Sequence, residues 1–316
     1  MGLIVQKFGG SSVRDRERLL RAMRIVRRTW EQGDDVVVVL SAQGDTTDTL
    51  LARARELTEE PPPRELDALL ATGETASVAL GAIALASLGV PAVSLSGWQV
   101  PVGTDGTHGG ANVRSVGAER IRQELAQRRV VLAAGFQGVD AAGDVTTLGR
   151  GGSDTSAVAL AAFLGAKRCI IYTDVDGVYT TDPRVCPTAR RLAAVSCDQM
   201  LRLAANGAQV LHEGTIFPVR EKNIPLNIRN TNEPEHPGTT ILESIEEDTN
   251  DGSFITGIAG KKGFSVITIA KTGMSGDPGT LVRILEILAK HEVNVEYIPS
   301  GIDIISLVVE SKKVSK

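Results

Sequence analysis

The stretch Thr147-Leu148-Gly149-Arg150-Gly151-Gly152-Ser153-Asp154-Thr155-Ser156 holds the residue types best suited to chemistry in this chain. Gly149, Gly151 and Gly152 keep side chains away from the backbone, which can then bend through positive φ and present its N–H groups to an anion. Arg150 adds a planar fork matched to a carboxylate or a phosphate. Asp154 is the odd partner: a carboxylate in an anion site makes sense if it holds a metal ion or positions a cationic group. An aliphatic run over residues 155–164 follows and stops at Gly165, which predicts a helix with Ser153 as its N-cap and unpaired N–H groups beside the glycines. Glycine turns before helices are common and most bind nothing, but Arg and Asp bracketing the glycines favour a site for an acidic substrate and a phosphate. The spacing matches neither the GxxxxGK(S/T) phosphate loop nor the GxGxxG dinucleotide fingerprint.

Those groups need a scaffold, and the pattern of the chain supplies an α/β one. Leu3-Ile4-Val5 begins a short buried strand that runs into Lys7-Phe8-Gly9-Gly10-Ser11-Ser12, after which Leu19, Met23, Val26 and Trp30 recur at helical spacing. Residues 36–40 are an unbroken aliphatic run of the kind found in a strand covered on both faces, and a hydroxyl-rich loop from Ser41 through Thr47 to Asp48 follows. In open α/β sheets, ligands gather at such strand ends. Pro61-Pro62-Pro63 marks a stiff connection, residues 66–70 open a helix, and Thr72-Gly73-Glu74 precedes a second helix over residues 75–88. Glu74 then reads either as favourable charge near a positive helix end or as an acceptor for a substrate ammonium.

Residues 93–95 read as a strand, and residues 97–112 as a long glycine-rich loop in which His108 is expected to face solvent. A helix at 121–125, a strand at 130–134 and a hairpin turning at Ala141-Ala142-Gly143-Asp144 lead back to the glycine stretch. The next buried strand, residues 169–172, ends in a polar segment with Thr173, Asp174, Tyr179, Asp182 and Arg184. That segment reads as an Asx-rich loop or, given its place at a strand end, as a nucleotide pocket.

Composition narrows the classes further. With 316 residues, 42% of them hydrophobic, the chain can build about two domains, and a net charge of −4 with 3% aromatics offers neither a basic face nor a stacking platform for nucleic acid. Cys169, Cys186 and Cys197 form no CxxC pair, and His108, His212, His236 and His291 show no zinc spacing, so the expectation is a reducing, cytoplasmic setting and no metal held by a protein cage. The longest apolar run, residues 76–93, is interrupted by Ser, Gly and Pro and reads as a buried helix and strand, with no need for a membrane span.

Four motifs in order, Lys7 to Val13, Thr147 to Ser156, Thr173 to Arg184 and Gly207-Ala208-Gln209-Val210-Leu211-His212, resemble the aspartate kinase family within the amino acid kinase superfamily. The resemblance implies transfer of the γ-phosphoryl group of ATP to the β-carboxylate of L-aspartate, with Mg2+ between the phosphates. It also implies a three-layer αβα sandwich around a mostly parallel sheet. By similarity, Lys7 and Asp154 are catalytic. Ser41, Thr47, Glu74, Arg150, Gly151, Gly152 and Ser153 hold aspartate. Lys7, Phe8, Gly9, Gly10 and Ser11, with Thr173, Asp174, Tyr179, Asp182 and Arg184, hold the nucleotide. Many relatives carry Lys where this chain has Gln209 and a His-Pro pair where it has His212-Glu213. A kinase for another small acid such as glutamate, or a non-catalytic sensor on the same fold, are the competing readings.

The catalytic domain is expected over residues 1–242, an acidic linker over 243–253, and a partial ACT-like regulatory module over 254–316. Within the last, the pattern predicts a strand at 264–269, a helix at 279–291 and strands at 293–298 and 304–309. A complete ACT unit continues with a further helix and strand. The tail is therefore expected to be a shortened piece, or a module that pairs with another copy of the chain to protect its sheet edge, making a homo-oligomer. The resemblance further implies lysine or threonine as effector.

Overall fold

The computed structural model describes residues 2–100, 102–208, 210–211, 215–216, 220–245 and 255–314. Two compact units divide the chain, Met1–Ala259 and Gly260–Lys316.

In the first unit the chain runs through β1 (Leu3–Phe8), α1 (Arg16–Glu31), β2 (Asp35–Leu40), α2 (Thr46–Leu57), α3 (Pro63–Ser87), β3 (Ala92–Leu95), β4 (Val102–Thr104) and β5 (Val113–Val116). It continues through α4 (Glu119–Ala126), β6 (Val130–Ala134), β7 (Gln137–Val139), β8 (Val145–Thr147), α5 (Gly152–Leu164), β9 (Arg168–Thr173), β10 (Ala194–Ser196), α6 (Cys197–Ala205), β11 (Leu226–Asn230) and β12 (Thr239–Leu242). An eight-stranded sheet is ordered β10-β12-β11-β9-β1-β2-β6-β3, and every neighbouring pair is parallel except β11 with β12.

The alternation of side chains across β1 and β2 builds the layers. Ile4, Phe8, Val36, Val38 and Leu40 pack on one face against Leu19, Met23 and Val26 of α1 and Val78 and Leu85 of α3. Val5, Val37 and Val39 point to the other face, against Ile121 of α4 and Ala157, Val158 and Leu160 of α5. The result is the expected αβα sandwich around a mostly parallel sheet. Gly81 lets α3 lie close on that sheet, since a Cβ there would stand 2.6 Å from Leu132 Cδ2.

Several local expectations change. Residues 63–87 form one continuous helix instead of two, because Thr72 and Gly73 fall inside an Ala- and Leu-rich run whose helical hydrogen bonds they do not interrupt. By length and composition α3 is apolar enough to cross a membrane, but half of its apolar window is buried inside the protein. Helix α2 fills the stretch after the hydroxyl-rich loop. Part of the region expected as irregular loop is β4, which with β5 just beyond it joins the hairpin of β7 and β8 in a second sheet ordered β5-β4-β7-β8. That sheet ends where the glycine stretch begins.

The second unit contains β13 (Phe264–Ala270), α7 (Thr280–Lys290), β14 (Val295–Tyr297), β15 (Ser300–Gly301), β16 (Ile304–Glu310) and α8 (Ser311–Val314). Its strands are antiparallel in the order β13-β16-β14, with β15 also on β16, around a small core of Val293, Leu307 and Val309. This is the ACT-like βαββ order read from the sequence, with the two-residue β15 and the one-turn α8 added to it. Residues 255–259 belong with the first unit, where Ile258 N–H donates to Thr180 O and Gln199 Nε2 to Thr256 Oγ1.

Candidate active site

The carboxyl ends of β1, β2 and β6 open into one cleft of about 280 Å³. Lys7 lies on the β1 face that also carries Val5, so its side chain points toward α5. There its Nζ stands 2.6 Å from Asp154 Oδ1, with the two side chains only 10% and 17% exposed. Asp154 sits in the first turn of α5, a helix that begins at Gly152 after Gly151 in the left-handed region at φ 69°. Ser153 is therefore inside the helix and is not its N-cap: the second residue with positive φ, after Gly149, starts the helix one step earlier than the side-chain pattern implied. No side chain caps α5; the Gly152 N–H donates to Gly149 O at 3.1 Å, and the next N–H groups, those of Ser153 and Asp154, are left for a ligand. Gly165 ends it in the left-handed conformation, as expected.

Ser41 lines the cleft from the β2–α2 connection, Thr47 from the first turn of α2, Glu74 from α3, and Gly151, Gly152 and Ser153 from the glycine stretch. Glu74 sits mid-helix, so the reading of its charge near a positive helix end is wrong. It is 97% buried by its 3% exposure, its Oε1 accepts the Ala42 N–H at 3.1 Å, and its Oε2 is buried with no hydrogen-bond partner among the described residues. Burial pushes its carboxyl up to about 7, against the weaker opposing pull of the Ala42 N–H. A buried oxygen with nothing to accept from is a receptor waiting for a donor, and a cation suits it best.

Other expected residues are placed differently. Arg150 is exposed on the glycine loop beside this cleft, does not line it, and makes no hydrogen bond or ion pair among the described residues. Phe8 offers the site no side chain, since its fully buried ring stacks on Tyr172 with centroids 4.7 Å apart. Gly10 lines the cleft, Gly9 N–H donates to Tyr172 O, and Ser11 is exposed. Strand β9 pairs with β1 in the register Phe8 to Tyr172, so Thr173 and Asp174 begin their segment next to Gly9. Thr173, Asp174, Tyr179, Asp182 and Arg184 do not line the cleft itself. Tyr179 donates to Asp176 at 2.8 Å, which holds its hydroxyl above the usual range, while Asp182 and Arg184 pair at the exposed end of the segment. Gln209, His212 and Glu213 lie outside the described residues.

Sequence reasoning missed Ala42, Gly44 and Phe136, which also line the cleft, and a second buried acid, Asp67. Asp67 stands seven residues before Glu74, two turns along the same helical face, a signal that was hidden once α3 was divided in two. Its partner corrects another expectation: His108 does not face solvent, because its Nδ1 lies 2.9 Å from Asp67 Oδ2. No group of three or more His, Cys, Asp or Glu capable of holding a metal occurs among the described residues.

A glycine-lined cleft at the strand ends of an αβα sandwich, with a paired lysine and aspartate inside it, is the architecture of a small-molecule phosphotransferase. Residues 2–230 match the amino acid kinase family, and the chain belongs to it. Within that family its relatives are aspartokinases. It is 46% identical to an aspartokinase of Mycolicibacterium smegmatis over 96% of this chain and 71% of that protein. It is 45% identical to an aspartate kinase of Pseudomonas putida over 96% and 72% of the two chains. The structure of E. coli aspartokinase III in complex with aspartate and ADP superposes with a TM-score of 0.78 at 28% identity, covering 98% of this chain and 79% of that one. The chain is a member of the aspartokinases.

Proposed function

We propose that this enzyme transfers the γ-phosphoryl group of ATP to the β-carboxylate of L-aspartate, giving 4-phospho-L-aspartate and ADP. The observation that carries the reading is the meeting of two groups in one cleft: the Lys7–Asp154 pair at one wall and the partnerless Oε2 of Glu74 at another. Glu74 accepts from the α-ammonium of the substrate. Arg150, exposed at the rim, turns in to clamp a substrate carboxylate, and Ser41, Thr47 and Ser153 add hydroxyl contacts. A cleft of about 280 Å³ suits a small amino acid.

The β-carboxylate needs no base, because it is ionised near neutral pH. Its oxygen attacks the γ-phosphorus in line, the bond to the β-phosphate oxygen breaks, and ADP leaves with the electron pair. Lys7 stabilises charge on the equatorial oxygens, and Asp154 holds the ammonium at the place where that charge develops. The N–H groups of Gly10, Ser153 and Asp154 add fixed dipoles, while that of Gly9 is already held by Tyr172 O.

Thr173, Asp174, Tyr179, Asp182 and Arg184, at the end of the neighbouring strand, take the nucleotide. Magnesium fits this donor set as an ion carried in largely by phosphate oxygens, since the cleft offers a carboxylate at Asp154 and the described residues form no cage for it. When bound, it neutralises phosphate charge. The product feeds lysine, threonine, methionine and diaminopimelate synthesis, and the second unit is the seat of lysine or threonine feedback and of homo-oligomer formation. Three unpaired cysteines suit a cytoplasmic enzyme.

A hydroxylamine trap for acyl phosphate, with ADP release measured in parallel, tests the reading. Aspartate should give hydroxamate and stoichiometric ADP while glutamate gives neither. Binding of Mg-ATP without aspartate-dependent ADP would make the protein a sensor, and a preference for glutamate would reassign the substrate.

A further inference from the structure

Asp67 is a buried carboxylate, 1% exposed, that the phosphoryl-transfer chemistry does not use. Four groups from two other segments converge on it. Thr147 donates its hydroxyl at 2.6 Å and its N–H at 3.1 Å, Gly109 donates its N–H at 3.0 Å, and His108 Nδ1 stands 2.9 Å away. Thr147 O in turn accepts the Ala111 N–H at 2.8 Å. Thr147 is the last residue of β8, two positions before Gly149 and three before Arg150. The 109–110 backbone lies directly against Gly149, where a Cβ would meet Gly109 O at 3.5 Å and Gly110 Cα at 3.6 Å. Asp67 therefore fixes both the root of the glycine loop and the strip of chain that lies along it.

The same helix carries Glu74, seven residues on and so about 10 Å along its axis. One rigid element then sets both ends of the substrate pocket: Glu74 directly, for the ammonium, and the carboxylate clamp through Asp67. We propose that Asp67, with His108, is a positioning residue for aspartate binding, clasping segments 107–111 and 147–150 so that Arg150 and the first turn of α5 are presented in binding geometry. Hydrogen-bond chemistry makes the carboxylate specific. An amide at this position would turn an NH2 group toward donors, and an alanine would orphan two backbone N–H groups. The proposal rests on the aspartate kinase reading above.

Two measurements on the full chain test it: steady-state kinetics and hydrogen exchange, on Asp67→Asn, Thr147→Val and His108→Gln. Glu124→Gln is the control, because Glu124 is another buried acid on α4, ion-paired with Arg120 of the same helix and with Arg129 beyond its end, and outside the cleft lining. The clasp predicts a rise of about tenfold in the aspartate KM of Asp67→Asn, with the ATP KM within about twofold of wild type. It also predicts faster exchange at residues 107–111 and 147–151, with smaller changes of the same kind in the other two clasp variants. A purely structural acid would behave as Glu124→Gln should, lowering the melting temperature and the active fraction while leaving both KM values alone. Should Asp67→Asn fail to fold, Thr147→Val and His108→Gln decide. An unchanged aspartate KM, or equal rises for both substrates, overturns the proposal. Wild-type protein without aspartate-dependent turnover overturns the substrate reading instead, while the exchange data still report whether the clasp exists.

Discussion

Glu74→Gln should push stability and binding in opposite directions. Moving a carboxyl from its ordinary 4.5 to about 7 by burial means that the folded protein disfavours the charged form by roughly 3 kcal/mol. The sign follows from proton counting. Between pH 4.5 and about 7 the folded state keeps a proton that the unfolded state has released, so stability falls as pH rises through that window and the full cost is present above it. Glutamine is nearly isosteric, keeps an oxygen for the Ala42 N–H, and carries no charge. The variant should therefore be more stable than wild type at pH 8, by up to about 3 kcal/mol in denaturant titrations, with the gain vanishing near pH 4.5. Its aspartate affinity should fall, because a charge-assisted contact worth about 1.5–3 kcal/mol is lost, equivalent to roughly a tenfold to hundredfold rise in KM. In wild type the ammonium selects ionised Glu74, so the aspartate KM should fall as pH rises through about 7, and the variant should lose that dependence. A variant less stable than wild type at pH 8, with an unaltered KM profile, would refute the placing of the ammonium against Glu74.

Arg150→Ala should raise the aspartate KM about tenfold to a hundredfold and leave the melting temperature where it was, since the side chain is exposed and has no partner among the described residues; both are read from kinetics and a thermal scan. Lys7→Met should lower kcat on the order of a hundred- to a thousandfold in a coupled ADP assay. It should also lower the melting temperature by leaving Asp154 without its cation, and adding Asp154→Ala should restore part of that loss. Gly81→Ala should cost about 1–3 kcal/mol in a chemical melt by forcing α3 off Leu132 and Leu40, with kcat retained.

Much of this was legible because the responsible signals are local. Continuous apolar strands, glycines at forced bends and the Arg–Asp bracket marked the sheet and the glycine loop, and the motif order carried the family. Tertiary choices were not legible. Gly73 looked like a helix boundary, yet it lies in the interior of α3 facing Ala42, where a Cβ would come within 2.9 Å of the alanine side chain. Its smallness serves packing, and reading it as a stop hid the shared face of Asp67 and Glu74. Ser153 had the chemistry of a cap, but a left-handed Gly151 supplied the turn by backbone geometry alone. His108 gained its partner across 41 positions of sequence, a distance at which periodicity says nothing. Ala42 and Phe136, which line the cleft, are apolar residues whose types carry no chemical signal. Phe136 does so at φ 64°, its N–H held by Ser156 Oγ at 3.0 Å.

The pairing of β1 has a consequence for how such a site can vary. Lys7 is locked between Val39 on one side and Ile171 on the other by two parallel ladders. A slip of a single residue in either ladder would rotate the amine through the sheet, out of reach of Asp154 and into the aliphatic layer beneath α1 and α3. Loops around the cleft can lengthen, shorten or change sequence while that alignment stands. Side chains around the cleft can therefore drift toward other acceptors without disturbing the alignment that keeps the amine of Lys7 beside Asp154.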